Sequence, residues 1–308
     1  MGEKNRYLIY GLKVESEISI PQAYFIEENE EAFTADVRIV LGEIPREFRE
    51  AAEKGYGSWI DGVRAAWFNT EGAAQYFIEE GKTIIVKPYP NAKEMLVTSM
   101  ILSAGMSLIL LQRNEPVLHG SVVEKAGNAY LICGNSGAGK STVTLELLDD
   151  KEIMLMADDT VRLTREGNTV YCHPTYPQQK VCRNLACQKN LDFEELIYID
   201  EGRDKYAIKR KDRYCNTKKP LKAIFVLEKD SNETKVKYER LCGLDYVYCI
   251  INNLYLSENY KKDVGIPPEF MRLINTMYNQ ASIYKVIRPE NGNTVKEVTE
   301  MIRFLQSC

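Results

Sequence analysis

The 308 residues include 44% hydrophobic and 27% charged side chains, and the formal net charge is -4. This composition is that of one large or two modest globular domains, and it excludes an intrinsically disordered chain. The small negative charge also excludes a general attraction to nucleic acid or to an anionic membrane, so any basic site must be local.

The N-terminus and the cysteines bear on the cellular compartment. The chain enters a strand-like segment at residues 7–10 without the basic head, apolar core and cleavage site of a signal peptide, which predicts a cytoplasmic protein. The eight cysteines form no Cys-x-x-Cys pair and only two histidines accompany them, so the sequence does not favour a zinc site. We expect most of the cysteines to be reduced apolar residues of the interior.

Residues 1–90 have the pattern of short strands separated by turns. Residues 37–40 alternate in polarity and stop at Gly42, and residues 74–78 and 83–86 flank a Glu-Glu-Gly-Lys turn as a predicted hairpin. The larger aromatic side chains here are predicted to be core or interface residues rather than a ligand platform; they are Trp59, Trp67 and Phe68.

Residues 95–111 are strongly apolar but contain interspersed serine, threonine and glycine. The segment is somewhat short to cross about 30 Å of hydrocarbon. We therefore favour a buried core helix over a membrane span.

The motif with the clearest chemistry is Gly-Asn-Ser-Gly-Ala-Gly-Lys-Ser at residues 134–141, which lies between an apolar strand and a helical pattern. Its glycines let the backbone turn successive N–H groups toward one anion at a helix N-terminus. Lys140 is placed to reach the β and γ phosphates, and Ser141 to complete the coordination of Mg²⁺. The loop therefore predicts binding of ATP or another nucleoside triphosphate. The nucleotide-binding residues are Gly134, Asn135, Ser136, Gly137, Ala138, Gly139, Lys140, Ser141 and Thr142.

Two further strands carry candidate catalytic groups. The strand at residues 117–123 contains His119, and the short turn after it predicts that this strand pairs with the P-loop strand and brings His119 near the loop. The strand at residues 153–157 ends in Asp158 and Asp159, where a carboxylate can meet Mg²⁺ or a nucleophile. Adjacent strand residues point to opposite faces, so only one carboxylate is expected to meet the metal directly. A solvated acidic turn is the alternative.

The rest of the chain completes an α/β pattern. Another hairpin is predicted at residues 161–171, and a proline-stiffened pocket wall at residues 173–177. A basic run at residues 201–213 is either a solvated face or a recognition element for phosphate or an acidic substrate. Strands at residues 221–227 and 284–287 and helices at residues 270–274 and 295–305 follow.

These motifs together resemble the catalytic domain of HPr kinase/phosphorylase. In that family a strand with His-Gly precedes a Gly-x-Ser-Gly-x-Gly-Lys-Ser loop and a later strand ends in Ala-Asp-Asp, and residues 119–120, 134–141 and 157–159 supply these pieces in the same order. The resemblance implies that one of Asp158 and Asp159 is the base for an acceptor hydroxyl, that the other lies near the metal, and that His119 sits beside the transferred phosphate. We assign Ser141 and Asp158 to the metal. The glycine-rich Arg-Gly-x-Gly segment that engages HPr has no counterpart, which argues against HPr as the acceptor.

A closer likeness is to the HPr kinase-like proteins of peptide-modification systems, including kinases of lasso-peptide precursors. The opening at residues 10–12 and 16–21, the proline segment at 176–177 and the basic element at 202–205 carry that likeness. It implies Arg203 and Lys205 as anchors for phosphate or for a substrate carboxylate.

Two functions follow from this sequence. The first is a Mg²⁺-dependent kinase that phosphorylates a hydroxyl, a serine of a small peptide or another small acceptor. The second is a nucleotide-gated binding protein or ATPase that assists a peptide-maturation partner. The expected architecture is a strand-rich N-terminal α+β domain at residues 1–110 and an HPr kinase/PEP carboxykinase-like P-loop α/β domain at residues 111–308, with homo-oligomerisation left open.

Overall fold

The computed structural model describes residues 5–26, 33–53, 58–61, 64–200, 204–255 and 265–307. The chain is a mixed α/β protein whose strands form three sheets. This confirms the predicted fold class.

The first sheet contains eight strands from the N-terminal part of the chain, in the order β3-β1-β2-β4-β8-β7-β6-β5. Their bounds are β1 Asn5–Ile9, β2 Leu12–Ser16, β3 Tyr24–Phe25, β4 Val37–Leu41, β5 Ser58–Asp61, β6 Ala65–Thr70, β7 Ala74–Glu79 and β8 Thr83–Pro88, and helix α1 spans Arg46–Glu53. The predicted hairpin at residues 74–86 is confirmed by the antiparallel register of β7 and β8. Trp67 and Phe68 are buried in the core as predicted, whereas the Trp59 side chain lies outside the described residues.

Helix α2 spans Glu94–Gln112 and includes a π-helical segment at Ile101–Gly105. Its apolar window is long enough to cross a membrane, but 67% of that window is buried inside the protein. Its first part lies against strand β15 (Ile197–Asp200) and its last part against β7 and strand β9 (Val117–Lys125), so the helix is a core element, as the interrupted apolar pattern predicted.

The second sheet carries the P-loop. Its strands are β9 Val117–Lys125, β10 Asn128–Gly134, β11 Met154–Ala157, β12 Thr160–Glu166, β13 Thr169–Cys172, β17 Lys219–Asp230, β18 Lys237–Leu241 and β19 Ser282–Pro289. Strand β10 pairs antiparallel with β9 and parallel with β17, which in turn runs parallel to β19. The predicted pairing of the His119 strand with the P-loop strand is confirmed, as is the predicted hairpin of β12 and β13.

A third sheet and the helices after α2 complete the fold of the described residues. The small sheet has the order β14-β16-β15, with bounds β14 Gln178–Cys182, β15 Ile197–Asp200 and β16 Lys205–Lys209. The helices are α3 Lys140–Leu147, α4 Arg183–Gln188, α5 Gly243–Asn252, α6 Pro268–Gln280 and α7 Val295–Gln306. The predicted helices near residues 270 and 300 are therefore confirmed.

One apolar cluster runs without interruption from the first sheet through α2 to the second sheet. A second cluster lies between the P-loop strand, α3 and α7. The division at residue 110 stays a prediction, because the buried side chains on its two sides share a core.

Candidate active site

The P-loop has the backbone that its glycines were predicted to allow. Gly134, Gly137 and Gly139 have φ values of +134°, +78° and +110°, and α3 begins immediately afterwards at Lys140. A Cβ atom at Gly134 would collide with the Leu227 carbonyl of the neighbouring strand. Positive φ values and this close approach explain why glycine is needed here. The loop ends at a helix N-terminus, where free N–H groups and the helix dipole favour an anion.

The Lys140 side chain lies against the P-loop, whose bound phosphates it is expected to contact. Its Nζ donates hydrogen bonds to the carbonyl oxygens of Gly134 at 2.7 Å and Asn135 at 3.3 Å. Burial lowers the pKa of Lys140. A desolvated ammonium on these carbonyls is well placed to exchange them for phosphate oxygens.

Two cavities adjoin the P-loop from opposite ends. A cavity of about 240 Å³ lies beside Gly139 and Thr142 and includes Arg288, whose Nε donates to the Ala138 carbonyl at 3.2 Å. A cavity of about 570 Å³ lies beside Gly134 and Asn135, and its wall contains Glu228 and Glu239, which share Lys285 at 2.9 and 3.5 Å. The guanidinium makes the first cavity more suitable for an anionic ligand than the second.

The strand that carries His119 approaches the P-loop strand closely. Gly120 lies opposite Cys133, and a Cβ atom at Gly120 would be 2.6 Å from the Ile132 carbonyl. The close approach therefore depends on glycine and sets His119 at the level of the P-loop. His119 is also in register with Thr160, and its Nδ1 lies 3.9 Å from Asp159 Oδ1. Burial and the Lys140 ammonium lower the pKa of His119.

Asp158 is almost fully buried, with 3% of its surface exposed. Its Oδ1 accepts a hydrogen bond from Ser121 Oγ at 2.6 Å, and its Oδ2 accepts one from the Lys180 backbone N–H at 2.7 Å. Burial raises the pKa of Asp158 in spite of these two bonds. Asp158 therefore joins β9 to β14, a connection between elements far apart in sequence.

Asp159 has a different environment from its neighbour. It adopts a left-handed backbone with φ +75°, which is uncommon for residues other than glycine. Its Oδ2 accepts a hydrogen bond from Lys180 Nζ at 2.8 Å. Burial alone would raise the pKa of Asp159, but the Lys180 and Lys205 ammonium groups outweigh burial and hold that pKa well below its ordinary value. Asp159 is thus kept ionised.

Lys180 is a site residue that the sequence analysis missed. It lies on β14, and its ammonium is buried beside Asp159 and Tyr176. Burial disfavours the charged form, but these neighbours outweigh it and raise the pKa of Lys180. The sequence alone gives no signal for this role, because the burial of Lys180 follows from the pairing of β14 with β16.

The basic run at residues 201–213 has more than one role. Lys205 lies at the start of β16 opposite Cys182, and its charge contributes to the pKa shifts of His119 and Asp159. Arg213, in contrast, donates to the carbonyls of Leu148 and Ile153 and so fixes the turn after α3. Arg203 lies outside the described residues. The run is therefore partly at the site and partly structural.

The residues described by the structure contain no group of three or more His, Cys, Asp or Glu side chains that could hold a metal ion.

Comparison with known proteins identifies relatives of the P-loop region. The HPr Serine kinase C-terminal domain family matches residues 112–181. The HPr kinase/phosphorylase of Mycoplasmopsis pulmonis is 28% identical over 138 residues, which are 44% of this chain and 39% of the relative. The HPr kinase/phosphorylase of Chlorobium luteolum is 31% identical over 127 residues, which are 41% of this chain and 33% of the relative. This chain thus spans less than half the length of these relatives.

A solved structure is also similar. The Hpr(Ser) kinase/phosphatase from Coxiella burnetii has 16% sequence identity to this chain and a TM-score of 0.33, over 62% of this chain and 95% of that one. The family match itself begins at the last residue of α2 and ends within β14, so it includes His119, the P-loop, both aspartates and Lys180.

Proposed function

We propose that this chain is an HPr kinase-like, ATP- and Mg²⁺-dependent kinase that transfers a phosphoryl group to a hydroxyl, as its similarity to HPr kinase/phosphorylases supports. The acceptor is a serine of a small precursor peptide of the lasso type or another small hydroxyl compound. The observation that carries the proposal is the convergence of a P-loop lysine with an ionised, lysine-paired aspartate and a histidine.

The P-loop glycines fit a triphosphate, since all three have positive φ values and Gly134 has no room for a side chain. Residues 134–142 would hold the phosphates, with Lys140 on the β and γ phosphates. The α-phosphate and the nucleoside bonded to it would extend toward Thr142 and the cavity with Arg288, because the carboxylates on the other side disfavour an anionic phosphate. Gln188 and Asn293 in that cavity offer amide groups to a ribose or base.

Ser141 and Asp158 are the proposed protein ligands of Mg²⁺. When bound, this ion neutralises charge on the β and γ phosphates. Each Asp158 oxygen accepts one hydrogen bond and retains a further lone pair. Asp158 also fixes β14, so its carboxylate would be a fixed metal ligand and not a mobile base.

Asp159 is the proposed base. Its Oδ1 is not the oxygen bonded to Lys180, and it faces His119, so it can accept the proton of an acceptor hydroxyl. His119 would donate a hydrogen bond to the transferring phosphoryl group. Lys180 keeps Asp159 ionised, and proton transfer accompanies formation of the bond between the acceptor oxygen and phosphorus.

Lys205 is the proposed anchor for an acceptor carboxylate or phosphate. Within the described ranges its ammonium has no carboxylate or carbonyl partner, while its charge reaches Asp159 and His119. Arg203 is proposed for the same role from the sequence. We also propose that the protein is cytoplasmic and that it binds neither nucleic acid nor membranes.

Intact-mass analysis tests this function. The purified chain is incubated with ATP, Mg²⁺ and serine-containing peptides encoded beside its gene, and a kinase adds about 80 Da, one phosphoryl group, to its acceptor. Asp159→Asn should abolish the gain, whereas Lys209→Gln, which changes an exposed lysine at the end of β16, should retain it.

The competing function gives a different product. Release of phosphate to water at the same rate with and without every peptide and small hydroxyl acceptor would contradict the kinase and support an ATPase that drives a binding partner.

A further inference from the structure

The turn between β1 and β2 lies inside the protein, although the tips of hairpins usually lie at the surface. Tyr10 and Gly11 form this turn with left-handed φ values of +55° and +68°, and the Tyr10 side chain is completely buried. In the sequence, this segment stands out only through the family likeness of residues 10–12. Its burial indicates a role within the core.

Tyr10 joins three separate elements. Its hydroxyl donates a hydrogen bond to the Leu102 carbonyl of α2 at 3.0 Å. Its hydroxyl oxygen also bonds Thr160 Oγ1, and because the phenol has a single proton, Thr160 is the donor. The Tyr10 carbonyl accepts a hydrogen bond from Arg162 Nη1 at 2.8 Å. The turn is therefore bonded to β12 at two positions and to α2 at one.

Gly11 fixes the turn from its other side. A Cβ atom at this position would collide with the His173 imidazole, which bonds Thr164 through Nε2 at 2.8 Å. The hairpin tip is thus seated against both strands of the β12–β13 hairpin.

The Tyr10–Thr160 contact lies one residue away from the candidate catalytic groups. Thr160 follows Asp159 directly, and its register partner across the sheet is His119. The Asp159 carbonyl also accepts a hydrogen bond from the Gly120 N–H at 3.2 Å. Asp159 has a left-handed backbone, a conformation that persists only when surrounding contacts enforce it.

We propose that Tyr10 is a positioning residue, which holds Thr160 and thereby sets the Asp159 backbone and the His119 ring for phosphoryl transfer. This rests on the proposed function for the roles of Asp159 and His119. The N-terminal hairpin is accordingly part of the catalytic apparatus, although it touches neither substrate.

The test compares Tyr10→Phe with Tyr7→Phe. Tyr7 lies on β1, just before the turn, is buried, and uses its hydroxyl to accept the Ile20 N–H at 2.8 Å, so it controls for the loss of a buried hydroxyl contact. The chain has only two histidines, so the ring ¹H–¹³C signals of His119 and His173 can be assigned with a His173→Gln variant. Phosphoryl transfer is followed by intact mass on the acceptor from the preceding experiment.

Tyr10→Phe should shift the His119 signal and lower kcat about tenfold, with KM for ATP unchanged because the P-loop is untouched. Tyr7→Phe should lower Tm without changing either the His119 signal or kcat. Thr160→Val should lower kcat to a similar extent, and the double variant should be no slower than Tyr10→Phe, because each change breaks the same Tyr10–Thr160 hydrogen bond.

Equal His119 signals in Tyr10→Phe, Tyr7→Phe and the unchanged chain would overturn the proposal. Additive losses of kcat in the double variant would also overturn it. If the chain transfers phosphate to no acceptor, the proposed function fails, but a His119 signal that shifts only in Tyr10→Phe still supports the positioning role.

Discussion

On the nucleotide side of the candidate site, the expected phosphate-binding groups are main-chain N–H groups and Lys140, all within residues 134–142. On the acceptor side, the side chains come from four places: His119 on β9, Asp159 after β11, Lys180 on β14 and Lys205 on β16. The first side is built by local backbone conformation. The acceptor side is built by the pairing of strands that are far apart in sequence, and its carboxylates need ammonium groups beside them.

This difference predicts that mutations on the two sides have separable effects. A change on the nucleotide side should affect binding and leave the fold intact, because the loop is held by its own glycines and by α3. A change on the acceptor side should affect both transfer and stability, because the same hydrogen bonds orient the catalytic groups and join β9 to β14.

Lys140→Ala is expected to have the largest effect. It removes the ammonium group expected to contact the β and γ phosphates, and we expect ATP affinity to fall by about a thousandfold, within the range for truncating one partner of a buried charge pair. Isothermal titration calorimetry with Mg²⁺ and ATP measures this affinity. Lys151→Ala, an exposed lysine in the turn after α3, is the control and should bind normally. Wild-type affinity in Lys140→Ala would rule out the P-loop as the nucleotide site.

Asp159→Asn should separate the two sides. Asparagine tolerates the left-handed backbone, so the local conformation is kept while the base is lost. We expect ATP affinity to be retained and transfer to fall by about 10²- to 10⁴-fold. Single-turnover intact-mass measurements check the rate, with the exposed Asp149→Asn as control. Transfer at the wild-type rate would exclude Asp159 as the base.

Lys180→Met tests whether the acceptor side couples stability to chemistry. It leaves the buried Asp159 carboxylate without its ammonium, and breaking such a pair costs about 3 kcal/mol of unfolding free energy. Urea unfolding should show this loss, and Lys180→Met with Asp159→Asn should recover part of it because no unpaired charge remains. Lys209→Met should be neutral. A double variant no more stable than Lys180→Met would refute the coupling.

The smallest expected effect concerns pH and His173. Burial and the Arg162 guanidinium lower the pKa of His173 to about 3, so the folded chain keeps this ring neutral where the unfolded chain, with a pKa near 6.5, protonates it. The unfolded state binds more protons between these values, and stability therefore falls as pH drops below about 6.5, by at most about 1.4 kcal/mol per pH unit.

Urea unfolding at several pH values measures this slope. His173→Gln keeps a polar group beside Thr164 but does not titrate, so its stability should depend less on pH in that range. Equal slopes for both proteins would show that other groups control acid stability.

The same contrast explains what the sequence could predict. The P-loop, the hairpins and the order of strands follow from glycines, turns and apolar periodicity, which act over a few residues. The closeness of His119 to the loop was predictable because a short turn forces β9 and β10 to pair. The role of Lys180 was not predictable, because it depends on β14, a strand of another sheet, meeting Asp158 and Asp159. The burial of Tyr10 was missed for the same reason.

The π-helical segment of α2 has a consequence for insertions and deletions. A π turn accommodates one extra residue within a helix, so Glu94–Met100 and Met106–Gln112 can keep facing β15 on one side and β7 and β9 on the other. Deleting one residue within Ile101–Gly105 should therefore leave both apolar faces in place and move mainly the Leu102 carbonyl that receives the Tyr10 hydroxyl. The same deletion within Met106–Gln112 would rotate the following residues by about 100° and expose apolar side chains. Natural length variation in this helix should therefore be confined to the π segment.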